Sequence, residues 1–407
     1  MIIIFRECSI VYGTSGKIMS NKTLVRTVFV SLLLLSGNDF SSAQVAMTTR
    51  SNSASTKDFS QFIPRPQKKT QIDYDVWNSI LEEMVLYTGP SARIKSPHPK
   101  PITGSRLIRG HKSAYRLEGN RIPYSQIKST FESAITEYRE DLERVGTNLD
   151  ISKLPKNEQL AFWFNLHNVV IIEQLTKEYP VKRPKDLKIG KPKVLLHDAK
   201  IININNMQLS LRDIREKIVY PNWSNSIVLY GFYLGDIGSP SIQNTAFNAD
   251  NINDLLDRSA NEFVNSLRGF HVRNNKQYVS QLYVDVAKFY FPNFNRDVEA
   301  HIKKYMRDDV KSQILTSTPY NIDRYHPIIA DLTAGQGNYE SISQLRSTTA
   351  SGSGDQLTGT DTLQLFVNEL LVKRKKLKRL GLINDGTVTI EDIETTDPDS
   401  QVKPDIE

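Results

Sequence analysis

The chain has 407 residues, with 39% hydrophobic and 24% charged residues, enough for one large or two ordinary globular domains with polar extensions. Its formal net charge is +7, and its single cysteine, Cys8, excludes an internal disulfide and a multi-cysteine metal site. The first 43 residues predict an export signal, because Lys22 and Arg26 precede an apolar run at 27–37 and small residues follow at 41–43. That run is shorter than the roughly 20 residues that a membrane span needs.

Cleavage of the export signal after Ala43 would remove Cys8, so the mature protein would carry no thiol nucleophile. Met19 is an alternative start to Met1, because residues 19–26 make a better basic region than the residues before them. We therefore expect an exported protein that works in the periplasm or outside the cell.

Composition and periodicity divide the rest of the chain. Residues 44–70 are rich in Ser, Thr, Gln and Lys and predict a disordered linker, followed by a globular domain over 71–340. Helical spacing of apolar residues predicts one helix that ends near residue 88 and a second over 127–145. Between them, Gly119-Asn120 predicts a tight turn within 115–124.

Residues 156–180 predict a central helix that is buried on most sides, bounded by Pro155 and Pro180. Glu158 and Asn165 are seven residues apart and share a face, with Asn168 about 80° away from Glu158. Buried polar groups must be hydrogen-bonded, so these residues either tie down neighbouring loops or line a cleft. His167 is on the opposite side, as a core histidine.

The next segment predicts a hairpin over 201–209, a short helix capped by Ser210, and a buried strand over 227–230 that contains Tyr230. Three glycines that follow let the backbone turn sharply, and their N–H groups can form an anion-binding nest. Asp236 could line a site there, and Ser239 is a conceivable nucleophile, although Gly-Ser-Pro is usually a turn. The glycines are Gly231, Gly235 and Gly238.

Beyond the glycine turn, apolar spacing predicts helices over 253–267 and 297–305 and a strand over 278–283. A linker at 341–358 precedes a basic amphipathic helix at 359–381, and an acidic disordered tail follows at 382–407. The basic helix either docks on the domain or contacts an anionic surface through 363–380.

Residues 158–168 read EQLAFWFNLHN, and this stretch resembles the hallmark of the family called domain of unknown function 547 (DUF547). Residues 209–219 resemble the "Leu-Ser-x-x-Asp-Ile" segment that follows the hallmark in that family. The resemblance extends over about 77–332, and Asn-Leu-His-Asn replaces the commoner Asn-Leu-Tyr-Asn.

This resemblance implies an α+β fold, a mixed helical domain with a small antiparallel sheet, related to papain-type and transglutaminase-type enzymes. It places Ser239 where the family carries a cysteine, Leu229 where it carries a histidine, and Glu158 at its acidic residue. Two of the three positions for thiol chemistry are therefore altered. A serine needs an adjacent base, and Leu229 cannot serve as one.

Three hypotheses follow for function. The first is a catalytically degenerate protein that binds a peptide or envelope ligand in its cleft, contacted by Asn165, Asn168, Tyr230, Gly235, Asp236 and Gly238. The second is a hydrolase in which Ser239 or an activated water is the nucleophile, assisted by Glu158. The third is an envelope structural or adaptor protein that acts through its C-terminal basic helix.

The sequence shows no metal-binding motif and no phosphate loop, so we expect no metal and no cofactor. Nucleic acid is not an expected partner, because the basic residues are scattered and the protein is expected to be exported.

Overall fold

The computed structural model describes residues 58–98, 111–335 and 359–383. Over these residues the protein combines many helices with small antiparallel and mixed sheets, which confirms the predicted α+β class. Three predicted segments lie wholly or almost wholly outside the described residues, namely the export signal, the second linker and the acidic tail, at 1–43, 341–358 and 382–407.

The helices vary from one turn to six. In chain order they are α1 (Asp75–Met84), α2 (Tyr124–Thr130), α3 (Glu132–Asn148), α4 (Lys156–Lys177), α5 (Leu211–Asp213), α6 (Tyr220–Asn222), α7 (Ile252–Val264), α8 (Gln281–Asp285), α9 (Ala287–Tyr290), α10 (Phe294–Tyr305), α11 (Asp308–Lys311) and α12 (Gly359–Arg379). A π-helical stretch, Ile214–Val219, joins α5 to α6. Short 3-10 turns are Phe59–Phe62, Ile151–Lys153, Pro184–Asp186 and Ser226–Gly231.

Helix α4 is the centre of the domain, as the sequence predicts. Pro155 stands at its N-cap, and every residue from Glu158 to Glu173 is buried. The helix packs against α2, α3 and the π-helical stretch. Because apolar residues cover almost all of its surface, its few polar residues must find partners inside the protein.

The strands form three small sheets. They are β1 (Lys188–Ile189), β2 (Val194–Leu195), β3 (Ile202–Ile204), β4 (Met207–Leu209), β5 (Phe270–Arg273), β6 (Lys276–Val279) and β7 (Tyr320–Ile322). Strands β1 and β2, β3 and β4, and β5 and β6 pair antiparallel, and β7 joins β6 in parallel.

Two of the hairpins have a pair of asparagines as the central residues of the turn. Asn205 and Asn206 between β3 and β4, and Asn274 and Asn275 between β5 and β6, all have φ between 49° and 59°. Two successive residues with positive φ define the turn that suits the twist of a hairpin. The hairpin over 201–209 is confirmed, and the hairpin of β5 and β6 was not predicted.

Residues 227–230 do not form the predicted strand. They lie in the 3-10 turn Ser226–Gly231, which the Asn225 side chain caps by accepting a hydrogen bond from the Ile227 N–H at 3.1 Å. All residues from Ile227 to Gly231 are buried. An apolar run that is buried on every side has no period, so its sequence cannot distinguish a strand from a helical turn.

The second half of the predicted linker, residues 58–70, is attached to the domain. Phe62 is buried and its ring packs edge-on to Trp163 with centroids 5.3 Å apart. The Arg65 N–H donates to the Ser152 carbonyl at 2.7 Å. This segment therefore covers one side of α4.

Gly381 closes the C-terminus of helix α12, as predicted. Gly381 has φ +65°, its N–H donates to the Lys378 carbonyl, and the Leu382 N–H donates to the Leu377 carbonyl, each at 3.0 Å. This pair of bonds closes a helix with a left-handed glycine after its last turn. Phe366 and Leu377 are each 2% exposed, so one face of α12 is docked on the domain.

Candidate functional site

A pocket of about 290 Å³ opens beside the first turn of α4. Its walls come from the start of α1, the segment before it and the loop that precedes α7. The residues around the pocket are Gln71, Ile72, Asp73, Tyr74, Asp75, Asn78, Glu158, Thr245, Ala246, Asn248, Ala249, Asp250 and Asn251. Four of these are carboxylic acids and none is basic, so the electrostatic field in this "Glu158 pocket" favours a cation.

Glu158 is the best candidate functional group in this pocket. It is the third residue of α4 and only 1% exposed, and its Oε1 accepts a hydrogen bond from the Ile72 N–H at 3.2 Å. Burial raises the pKa of Glu158, the nearby Asp250 charge adds to that rise, and the Ile72 bond opposes it. The carboxylate lies at a helix N-terminus, where a negative charge is favoured.

Tyr74 is a second polar group of the pocket. It is 4% exposed; its hydroxyl makes no hydrogen bond of normal geometry within residues 58–98, 111–335 and 359–383, but it interacts with the side chains of Glu158 and Asn165. Burial, and then the charge of Glu158, hold the pKa of Tyr74 well above its usual range. The hydroxyl is therefore neutral and can donate to or accept from a ligand.

Asn165 and Asn168, both predicted as binding residues, hold irregular segments of the chain against α4. The Asn165 side chain donates to the Phe247 carbonyl at 2.7 Å and accepts from the Phe247 N–H at 3.1 Å. The Asn168 side chain donates to the Gly231 carbonyl and accepts from the Tyr233 N–H, each at 3.0 Å. Asn165 therefore positions the loop that forms one wall of the Glu158 pocket, while Asn168 fixes the start of the glycine turn.

The glycine turn pairs with a later segment of the chain. Gly235 has φ +91°, and its carbonyl accepts from the Ala330 N–H at 2.9 Å. The Gly238 N–H donates to the His326 carbonyl at 3.0 Å, and the Ile237 N–H donates to the Ile328 carbonyl at 2.8 Å. The N–H groups of Ile237 and Gly238 are therefore occupied by the protein itself and are not available to an anion.

Asp236 lies in this turn with a strongly perturbed carboxyl group. It is 2% exposed, and the Tyr325 hydroxyl donates to its two oxygens, at 2.8 and 2.9 Å. Burial raises the pKa of Asp236 to about 7, against the opposing effect of the Tyr325 bond. The Lys185 ammonium lies 4.6 Å from the centre of the Tyr325 ring. This is a carboxyl that titrates near neutrality inside the protein.

Ser239, the candidate nucleophile, is fully buried. Its Oγ donates to the Asp236 carbonyl at 2.8 Å and accepts from the Leu234 N–H at 3.3 Å. No histidine of the described residues hydrogen-bonds to it, and it does not line the Glu158 pocket. This geometry gives the hydroxyl a role in closing the turn and provides no base to accept its proton.

Three histidines that the fold could have brought to Ser239 as a base have other partners. His167 is fully buried, and its Nε2 lies 2.7 Å from an Arg215 guanidinium nitrogen. Burial, and then the Arg215 charge, hold the pKa of His167 well below its usual range, so the ring is neutral. His301 bonds to Ser226 Oγ through Nδ1 and to the Tyr230 hydroxyl through Nε2, each at 2.8 Å.

Tyr230, predicted as a binding residue, is therefore part of a buried chain of hydrogen bonds that includes His301. It does not line the Glu158 pocket. Its hydroxyl also bonds to the Tyr283 hydroxyl at 3.0 Å. The third of these histidines, His271, bonds through Nδ1 to the Leu267 carbonyl at 3.1 Å.

Tyr74, Tyr325 and Arg215 are polar residues of these sites that were not predicted as functional. Tyr74 had the spacing of a core residue of the first helix, and Tyr325 follows the last strand without a recognisable pattern. Arg215 lies in the π-helical stretch, and such a widened turn is often found at functional sites. Nothing in a single sequence distinguishes that turn from ordinary helix.

Among the described residues, no group of three or more His, Cys, Asp or Glu side chains is arranged to hold a metal ion. In the same ranges, no helix has the length and apolar content that crossing a membrane requires.

The fold and the pocket define an α+β domain built around one buried helix, with an acidic polar pocket at that helix's N-terminus. Comparison with known protein families gives a match for part of this domain. Residues 151–264 match the model described as "Protein of unknown function, DUF547". The match supports the DUF547 family for a segment that begins in the 3-10 turn before α4 and ends with α7, a shorter segment than the predicted resemblance over 77–332. Searches of curated proteins and of solved structures gave no significant match.

Proposed function

We propose that the protein binds a peptide or envelope ligand through a free amino group, which the Glu158 pocket receives, and that it does not hydrolyse this ligand. The observation that carries the proposal is the buried Glu158 carboxylate at the edge of a pocket with four acidic and no basic side chains. The Tyr74 hydroxyl, in the same pocket, supplies a further hydrogen-bonding group for the ligand.

An ammonium group is the ligand chemistry that this arrangement favours. A cation is attracted by Glu158, Asp73 and Asp250 together, and its hydrogen bonds to a carboxylate are about twice as strong as neutral ones. A carboxylate or phosphate ligand would meet repulsion from the same groups. A peptide N-terminus and an amino sugar both present such a group.

Matched pairs of probes test this proposal. Trialanine and N-acetyl-trialanine differ in the charged amine, as do glucosamine and N-acetylglucosamine. We expect calorimetry to show saturable binding of at least one free amine and about tenfold or greater weakening on acetylation. Equal binding of both members of each pair, or no binding of any probe, would reject the amine-binding function.

The variant Glu158→Gln should weaken the amine by about tenfold or more, because it removes a charged hydrogen-bond acceptor. Glu178→Gln is the matched control: it makes the same charge change at the exposed C-cap of α4. Affinity for the amine should also rise with pH as Glu158 ionises above its usual pKa range, up to the pH of about 8 at which the amine itself loses its proton. An affinity that is insensitive to both Glu158→Gln and pH would place the ligand elsewhere.

The relationship to papain-type hydrolases, with the cysteine replaced by Ser239 and the histidine by Leu229, is also part of the proposal. Its support is the hallmark sequence at 158–168. Both altered positions are fully buried, which would make a nucleophile at position 239 inaccessible. We expect Ser239→Cys to react with iodoacetamide only after unfolding. Fast alkylation of the native variant would instead indicate an accessible nucleophile position and favour the hydrolase.

Export is the proposed setting of this binding function. Its support is the basic, apolar and small-residue pattern of the first 43 residues. N-terminal sequencing of the mature protein should give a chain that begins at Gln44. A mature protein that retains Cys8 would contradict the prediction.

A second candidate function, an adaptor that contacts an anionic surface, is favoured by the outer face of α12. Arg374, Lys375 and Arg379 are exposed there beside Leu371 and Val372, which are 53% and 67% exposed. Basic groups next to exposed apolar side chains are typical of helices that bind anionic membranes.

A further inference from the structure

A second pocket, of about 340 Å³, lies where α12 docks on the domain. It is separate from the Glu158 pocket and shares no residue with it. Most of its wall is apolar, formed by Ala92, Ile94, Pro97, Leu117 and Val372. We name it the α12 pocket. A volume of this size falls at the low end of small-molecule sites.

Two buried polar atoms in the α12 pocket have no partner. Glu118 is 3% exposed; its Oε1 accepts from the Ser91 hydroxyl at 2.8 Å, but its Oε2 has no hydrogen bond within the described ranges. Ser96 is 6% exposed, and its Oγ is likewise unpaired there. Unpaired buried polar groups are costly, so two of them around one apolar pocket indicate a missing partner.

The charges around the α12 pocket balance. Lys373 is buried near Glu118, and its ammonium donates to the Leu117 carbonyl at 2.7 Å. Glu369 at the rim is paired with Arg116, whose Nε donates to it at 2.7 Å. Because each carboxylate already has a nearby cation, the local field favours a neutral head group over an ion.

We propose that the α12 pocket binds a small neutral molecule with an aliphatic tail and a single hydroxyl head. The tail lies against the apolar wall, the hydroxyl donates to Glu118 Oε2, and its oxygen accepts from Ser96 Oγ. A hydroxyl is a donor and an acceptor at once, which the two unpaired atoms require.

Binding in this pocket also strengthens the docking of α12. Val372 and Lys373 of α12 form part of the wall, so the site exists only while the helix is docked. A ligand that binds only the docked state stabilises that state, by a free energy that grows with the logarithm of its concentration once this exceeds Kd.

The probe is 1-octanol, titrated into the full chain and followed by ligand-observed NMR and by proteolysis of α12. We expect saturable one-to-one binding, slower cleavage of α12 with octanol, and weaker binding of octanoate and octylamine. Absence of saturable octanol binding, or tighter binding of either ion, would overturn the proposal.

Two variants separate loss of the site from loss of folding. Ser96→Ala removes an unpaired hydroxyl, so the fold should tolerate it, while octanol affinity should fall about three- to tenfold. Ala92→Phe should fill the cavity and block octanol altogether. Ser129→Ala, at an exposed position of α2, is the control and should bind octanol like the wild type. Unchanged octanol affinity in both Ser96→Ala and Ala92→Phe would refute the assigned site.

Discussion

Asn165 and Phe247 are joined by two hydrogen bonds, which occupy both backbone polar groups of Phe247 as a neighbouring strand would. The amide side chain of Asn165, in the middle of α4, accepts from the Phe247 N–H and donates to the Phe247 carbonyl. Phe247 lies in a loop, so this contact is what gives an irregular wall of the Glu158 pocket a fixed position. The buried helix thus serves as the scaffold to which the pocket is attached.

Asn165→Ala should destabilise the protein by about 2–4 kcal/mol, because it leaves the buried N–H and carbonyl of Phe247 without partners. Chemical denaturation measures this free energy of unfolding. Asn157→Ala is the control: it loses a bond to the same loop, to the Ala249 carbonyl, but at an exposed position. We expect the control to change stability by less than about 0.5 kcal/mol. Equal effects of the two variants would show that the Phe247 contact is unimportant.

Asp236 should make the folded state less stable as pH rises. Its native pKa of about 7 exceeds its usual value of 3.8, so the native state binds more protons than the unfolded state between about pH 4 and 7. Stability therefore falls across that window, by up to about 4 kcal/mol. Asp236→Asn should remove this contribution and be more stable than the wild type at pH 8 but not at pH 4.

The difference between wild type and Asp236→Asn isolates this carboxyl, because buried neutral histidines such as His167 contribute with the opposite sign in both proteins. Midpoints of denaturant unfolding at several pH values give the measurement. A constant difference across pH 4–8 would mean that Asp236 does not titrate in that window.

The central part of the fold could be predicted from the sequence. The prolines at both ends and the continuous apolar run specify α4, and Asn205-Asn206 specifies the first hairpin turn. The shared face of Glu158 and Asn165 also follows from helical spacing. These features are local, so a single sequence contains them.

The partners of those residues could not be predicted. Glu158 meets Ile72 and Tyr74 across about 85 positions of sequence, and Asp236 meets Tyr325 across 89. Ser239 resembles a nucleophile only while its surroundings are unknown, since its bonds to backbone groups depend on the path of the turn. Contacts between distant segments come from tertiary packing, which periodicity does not encode.

Gly231 should tolerate no side chain, because a Cβ there would lie 2.4 Å from Cζ of Phe164. We expect Gly231→Ala to lower the free energy of unfolding by about 1–3 kcal/mol. Phe164→Leu in the same chain should relieve the clash, so the two substitutions together should destabilise less than the sum of the single effects. A double-mutant cycle measures this coupling, and strict additivity would argue against the contact.

The outer face of α12 offers a test of the adaptor function that leaves the docked face intact. The charge-reversal variant Arg374→Glu/Lys375→Glu/Arg379→Glu changes three exposed positions, while the buried Phe366, Lys373 and Leu377 are unchanged. Each basic group near an anionic membrane contributes about 1 kcal/mol, so the affinity for phosphatidylserine-containing vesicles, measured by co-sedimentation, should fall at least a hundredfold.

The control variant Lys188→Glu/Lys191→Glu/Lys193→Glu makes the same charge change on and beside the β1–β2 hairpin and should lose far less binding. If both variants lose binding equally, net charge and not α12 governs the attraction. If the wild type does not bind these vesicles, the exposed face of α12 has a different role and the adaptor function loses its support.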